Sequence, residues 1–152
     1  MPEQNAYYHR DICIRTRWLR NIRQPKFERG CCEMLVFRVC GVRQNLWMFS
    51  LYRNTDLNDG IFDCLLASMA AVQAEDIRAC FLFVGDLNGH HQEWLGSGTT
   101  NRHGVAAFDF LTVSGCDQLV VSPIHARGGM LNLLMTDVPD LVRKGCCCST
   151  NW

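Results

Sequence analysis

No stretch of this chain approaches the roughly 18 continuous apolar residues that a membrane-spanning helix needs, so no membrane contact of that kind is expected. Its N-terminus has no apolar core followed by small residues, the mark of a secretory signal. Net charge is missing as well, because 15 Lys and Arg balance 15 Asp and Glu. The ten cysteines do not supply a zinc spacing. Cys31-Cys32 and Cys146-Cys147-Cys148 are adjacent runs, while Cys40, Cys64, Cys80 and Cys116 stand singly in apolar segments. Neither paired C-x2-C motifs nor the framework of a disulfide-stapled secreted domain emerges, which makes a Cys/His metal-binding module the least supported class. Single cysteines in apolar runs are usually small core hydrophobes, and the expectation is an intracellular protein of nucleus or cytoplasm rather than a secreted one.

What is present is enough apolar sequence for one domain with a core: 152 residues, 48% hydrophobic and 20% charged. The charge is unevenly spread. Residues 1–29 hold seven bases (Arg10, Arg15, Arg17, Arg20, Arg23, Lys26, Arg29) against three acids (Glu3, Asp11, Glu28), a net +4, and the rest of the chain carries the compensating −4. A basic arm, residues 1–23, ahead of a mildly acidic body can touch nucleic acid or another anionic surface, or simply be a solvated leader.

Glu33–Cys40 and Asn45–Arg53 read as two strands, and the short polar turn Gly41–Gln44 makes them an antiparallel pair. A polar loop, Asn54–Gly60, offers Asn58 or Asp59 as a helix cap. Ile61–Ala74 then places Phe62, Leu65, Leu66, Met69, Ala70 and Val72 at helical spacing. Phe81–Val84 is an apolar run stopped by Gly85, the signature of a strand buried on both faces. After it comes a long polar loop, Gly89–His103, with Trp94 and Leu95 as anchors. A second helix, Gly104–Ser114, is expected to bury Val105, Phe108, Leu111 and Thr112 and to stop at Gly115. Short strands at Gln118–Val121 and Met130–Thr136 flank a loop, Ser122–Gly129. The order β, β, α, β, α, β, β predicts an α/β sandwich.

The chemistry-bearing residues cluster at strand ends. Asp86 and Asn88 follow the buried strand, where open α/β sheets place their sites. If the chain there stays extended, both side chains face one side, and an acid with an amide can orient a water, hold Mg²⁺ or steady a phosphate. The same composition is common in turns. His90 and His91 are candidate metal ligands or phosphate contacts, although adjacent residues diverge and solvated loop histidines look the same. Tyr52 and Arg53 close a strand; the planar fork of Arg53 suits a phosphate. Asn132, polar inside the Met130–Met135 run, must be hydrogen-bonded or lie at a site edge.

Taken together, these blocks resemble the endonuclease/exonuclease/phosphatase superfamily, specifically the apurinic-type endonuclease domain of non-LTR (LINE-like) retrotransposons. The resemblance runs from about Gln24 to Arg143. It includes Cys31-Cys-Glu, Ser50-Leu-Tyr-Arg-Asn54, Gly85-Asp-Leu-Asn-Gly-His-His-Gln-Glu-Trp-Leu-Gly96, Ser114-Gly-Cys-Asp-Gln-Leu-Val120, Pro123-Ile-His125 and Gly128-Gly-Met-Leu-Asn-Leu-Leu-Met-Thr-Asp-Val-Pro-Asp140. It implies an incomplete DNase I-like α/β sandwich over 24–143, with a divergent Cys-rich tail at 144–152. It also implies Mg²⁺-dependent cleavage of a DNA phosphodiester, with no small-molecule cofactor. On that resemblance Asp86 is the acid that orients or activates the attacking water and Asn88 its phosphate and water partner. Tyr52 is the phosphate-contacting tyrosine, and Arg53, His90 and His91 are phosphate or DNA contacts.

The departures from the family pattern are specific. The early Asn and the metal-binding Glu of the N-terminal strands have no counterpart in residues 1–23, and Glu33 belongs to a different block. The family's Leu-Asp, whose aspartate orients the catalytic histidine, reads Leu131-Asn132. Ile124 stands where Thr is usual, His125 is not the catalytic histidine, and the terminal Ser-Asp-His motif has no counterpart. The expectation is a truncated copy with impaired turnover, or an inactive remnant that at most binds nucleic acid.

Overall fold

The computed structural model describes residues 20–29, 33–40, 43–53, 60–93, 98–120 and 132–141. Its elements are β1 (Arg20–Arg23), a 3-10 turn (Pro25–Phe27), β2 (Glu33–Cys40), β3 (Asn45–Tyr52), α1 (Ile61–Glu75), β4 (Ala79–Asp86), α2 (Arg102–Ser114), β5 (Asp117–Gln118) and β6 (Asn132–Thr136). The strands form one sheet in the order β1-β2-β3-β4-β6-β5. β2 and β3 are the expected antiparallel pair. Between β3 and β4, α1 forms a crossover, so these two strands run parallel, in register from Asn45↔Ala79 to Tyr52↔Asp86. β6 returns antiparallel to β4 and β5 pairs with β6. No helix among the described residues is long and apolar enough to cross a membrane.

Alternation along the central strands splits the core in two. Trp47, Phe49 and Leu51 of β3, with Phe81 and Phe83 of β4, face the helices and join Leu65, Met69 and Val72 of α1 and Ala107, Phe110 and Leu111 of α2. The aromatic rings form a connected series, with centroids 4.9 Å apart for Phe49–Phe83 and 5.3 Å for the edge-on pair Phe83–Phe110. Val39, Leu46, Met48 and Leu82 form a smaller cluster on the opposite face, beside Leu134, Val138 and Leu141. In the Phe81–Val84 run, Phe81 and Phe83 are thus buried on one face and Leu82 on the other, as the unbroken apolar run implies.

Several expectations are corrected. Arg20–Arg23, assigned to the basic arm by charge, form the edge strand paired with Phe37–Cys40. Only 20–29 of the basic stretch are described, so the rest of the arm and the 144–152 tail lie outside the described residues, as do Asn58, Asp59, Trp94 and Leu95. The N-cap of α1 is Gly60, without a side-chain capping bond. α2 begins at Arg102, and its buried stripe is Gly104, Ala107, Phe110 and Leu111. Val105 and Phe108 are 43% and 48% exposed. Phe110 packs edge-on against Phe83 of the sheet, and Gly104 is buried against the His90 backbone, where a Cβ would not fit. The expected stop at Gly115 is present in the left-handed conformation, φ +67°. Among the described cysteines Cys40, Cys80 and Cys116 are free thiols, whereas Cys64 is disulfide-bonded, a departure from its reading as a packing thiol. Burial pushes the Cys116 thiol up to about 11.

The start of the parallel pair is held by Asp76, just after α1. It accepts from Asn45 Nδ2 (2.8 Å), Trp47 Nε1 (3.1 Å) and the Arg78 N–H (3.3 Å). Burial alone would raise the Asp76 carboxyl; these donors outweigh it and hold it below the usual carboxylate range. At the other end of the pair, a Cβ at Gly85 would lie 1.8 Å from the Leu51 carbonyl oxygen.

Two predictions follow from these ends. Gly85→Ala is expected to cost about 3 kcal/mol or more, because backbone must move. Gly115→Ala, with open space around it, is expected to cost only about 1 kcal/mol for its left-handed φ; urea midpoints compare the two. Asp76 contributes fully above its unfolded pKa of about 3.9, and its contribution is lost as pH falls through the lower folded value. The stability gap between wild type and Asp76→Ala, followed by urea denaturation, is therefore expected to be constant above about pH 5 and to close below about pH 4.

Candidate functional site

Strand register alone assembles the site. Glu33 pairs with Tyr52, Tyr52 with Asp86, and Asp86 with Asn132, giving one transverse row across β2, β3, β4 and β6. Directly paired residues share a face of the sheet, and by alternation Glu33, Tyr52 and Asp86 lie on the face opposite the helices. Glu33 is exposed, and Tyr52 and Asp86 are half-buried. Of the sequence-stretch candidates, Tyr52, Asp86 and Asn132 are thus neighbours at one sheet end, although they are separated by up to 80 residues in the chain.

Past Asp86 the chain turns rather than staying extended. Asn88 takes a left-handed conformation, φ +49°, which Asn tolerates better than most residues. Its N–H donates to Asp86 Oδ1 at 2.9 Å, closing an Asx turn. The side chains of Asp86 and Asn88 are therefore not placed by alternation. The Asn88 Nδ2 instead donates to the Arg53 carbonyl at 2.6 Å, and the Arg53 N–H donates to the Asp86 carbonyl at 2.9 Å. Of the two sequence readings of this stretch, the turn is the one the backbone adopts.

Arg53 was expected at a phosphate, but it is only 1% exposed. Its Nη1 donates to the Leu87 carbonyl (3.3 Å) and its Nη2 lies 2.7 Å from His103 Nε2. As placed, the guanidinium faces the protein interior, because acceptors for a buried cation are found there. His90 is tied to the helix start: its N–H donates to Asn101 Oδ1 (3.0 Å) and its carbonyl accepts from the Asn101 N–H (2.9 Å). The His91 ring stacks on Phe108, centroids 5.9 Å apart, and its Nδ1 accepts from the Glu93 N–H. The bonds of His90 to Asn101 are thus made by its backbone, and among the described residues no three His, Cys, Asp or Glu groups converge to hold a metal ion.

The sequence reading missed three residues that shape the site. Asn101 is the N-cap of α2, accepting from Gly104 N at 2.8 Å while also holding His90. Its amide reaches the Asn88 carbonyl at 3.4 Å. Gly104 lies against this loop so closely that a Cβ would fall 1.9 Å from the His90 carbonyl oxygen. Asn before a helical run was the available signal for Asn101. Taking Gly104 as the helix start hid it, along with His103 in the first turn.

The arrangement matches a known architecture. Among solved structures, the chain is similar to the "Endonuclease domain of TRAS1, a telomere-specific non-LTR retrotransposon", with a TM-score of 0.60 and 16% identity. The match covers 84% of this chain and 59% of that one. The chain has the fold of that endonuclease domain. It spans a little under three-fifths of that domain's length. No protein-family model and no curated protein matches the sequence. In this fold the row Glu33–Tyr52–Asp86–Asn132 stands at the end of a mixed sheet, with the Asp86–Asn88 turn projecting beyond it.

Asn101→Ala is expected to lower stability by about 1–2 kcal/mol through loss of the cap. Asn101→Asp, which keeps the acceptor, is expected to lose about half of that or less. Urea denaturation monitored by Trp fluorescence reads both.

Proposed function

We propose that the row and turn around Tyr52, Asp86 and Asn88 form one side of a site that hydrolyses DNA phosphodiesters, as in retrotransposon-type endonucleases of the endonuclease/exonuclease/phosphatase superfamily. The observation that carries this is the register pair Tyr52↔Asp86 beside the Asp86–Asn88 turn, in a chain with the fold of an endonuclease domain. A phosphodiester approaching this end would meet the Tyr52 hydroxyl as a donor to its oxygens. Asp86 would orient the attacking water and accept its proton. Asn88 offers the remaining amide hydrogen and oxygen to the water and phosphate, and His90 and His91 border the same loop as DNA contacts.

Mg²⁺ belongs to this reading by resemblance, and Asp86 supplies the hard oxygen such an ion prefers. The described residues do not make a metal cage on their own. A second reading, binding of nucleic acid without turnover, is favoured by Asn132, which occupies the position cross-strand from Asp86 where the family pattern has an aspartate. We therefore expect slow nicking.

Supercoiled plasmid nicking in Mg²⁺ buffer, with Asp86→Asn beside wild type, tests the enzyme reading. The amide keeps the acceptor for the Asn88 N–H and removes the base. Nicking is expected to fall about 10²-fold or more. Equal rates from both proteins would sink the enzyme reading and leave DNA binding, measured by fluorescence anisotropy, as the surviving one.

A further inference from the structure

Asp86, Leu87 and Asn88 each bond to a different group of one residue. The Arg53 N–H donates to the Asp86 carbonyl, its Nη1 donates to the Leu87 carbonyl, and its own carbonyl accepts from Asn88 Nδ2. The guanidinium then reaches beyond the turn to His103 in the first turn of α2, at 2.7 Å. A guanidinium has only donors, so His103 Nε2 meets it with a lone pair, and the imidazole proton resides on Nδ1. Arg53 thereby connects three chain segments at the site: the end of β3, the turn after β4 and the start of α2. The same helix start is bound a second time, through Asn101, to His90 and to the Asn88 carbonyl.

We propose that Arg53 and His103 are positioning residues for the phosphodiesterase site. The buried cation, aligned by the imidazole, sets the angle of the Asp86–Asn88 turn without touching DNA. This rests on the nuclease reading above, and it assigns Arg53 a different task from the phosphate contact expected from sequence. Two features argue for positioning over simple core filling. The guanidinium is spent on the carbonyl of the residue between the two site side chains, where a small shift is transmitted directly to both. In addition, Leu87 beneath it is fully buried, so the turn has one packed side and cannot absorb such a shift by sliding.

The test compares His103→Leu, which removes the acceptor at similar bulk, with His103→Gln, which restores an oxygen acceptor. Each is made in the full chain. In plasmid nicking, His103→Leu is expected to lower kcat by about 10- to 100-fold with KM changed less than about threefold, the pattern of misplacement and not of lost binding. His103→Gln is expected to recover most of the rate. Amide hydrogen exchange supplies a readout independent of activity. In His103→Leu the Asn88 N–H is expected to exchange about tenfold faster or more, while the Phe83 N–H in β4 changes by a smaller factor.

The proposal is overturned if His103→Leu leaves kcat and Asn88 exchange unchanged. It is equally overturned if Asn88 and Phe83 exchange rise together and kcat follows global stability, since that marks core support alone. If wild type nicks no faster than Asp86→Asn, the nuclease reading fails. The Asn88 exchange comparison then decides whether the brace exists: selective acceleration keeps it as a determinant of the turn, and its absence removes it.

Discussion

The parallel pairing of β3 with β4 is the constraint on which the site depends. Antiparallel neighbours could be joined by a short turn, but two parallel strands need a crossover long enough to return the chain to its starting end. α1 provides it, and its cost in ordered backbone is offset by burying Ile61, Phe62, Leu65, Met69 and Val72 against the sheet. Once the crossover is in place, both strands end together, and Tyr52 and Asp86 become lateral neighbours. Gly85 is what permits that ending. Its α-carbon passes so near the Leu51 carbonyl that any side chain would force the strands apart.

Beyond that edge the polar groups serve one another before they serve a substrate. Asp86 closes the turn through the Asn88 N–H, Asn88 holds the Arg53 carbonyl, and Asn101 caps α2 while gripping the His90 loop. A polar loop emerging from an apolar strand has many backbone donors and acceptors to satisfy, and short Asx side chains suit that task. The result is a turn held from several sides. Positional rigidity of this kind is what phosphodiester chemistry requires of the groups around a reacting water.

How much of this was legible in the sequence varies with the kind of signal. β2, β3, β4 and α1 were readable because their apolar residues recur with the period of the element and large side chains supply the pattern. β1 was not: it is four residues long, carries Arg at both ends, and is a strand only because β2 offers it an edge. On α2 the apolar spacing predicts Val105, Phe108, Leu111 and Thr112 on the buried face, whereas Gly104, Ala107 and Phe110 are the residues buried beside Leu111. Gly104 is buried because the His90 backbone passes close to its α-carbon, a contact between separate segments that helical periodicity does not register. The placement of Arg53 is also a tertiary outcome: its charge points to an anion, and its position after β3 turns it inward.

By itself, then, the sequence determined that an acid and an amide would follow a strand buried on both faces, and that a tyrosine would close another strand. Local periodicity and a glycine stop are enough for that, since they depend on near neighbours alone. Only the tertiary structure decided that Tyr52, Asp86 and Asn132 share one row and that Asn88 points back into a turn. It also decided that Arg53 lies beneath the turn with His103. Those outcomes come from register, crossover and close packing between segments far apart in the chain, which no local pattern encodes.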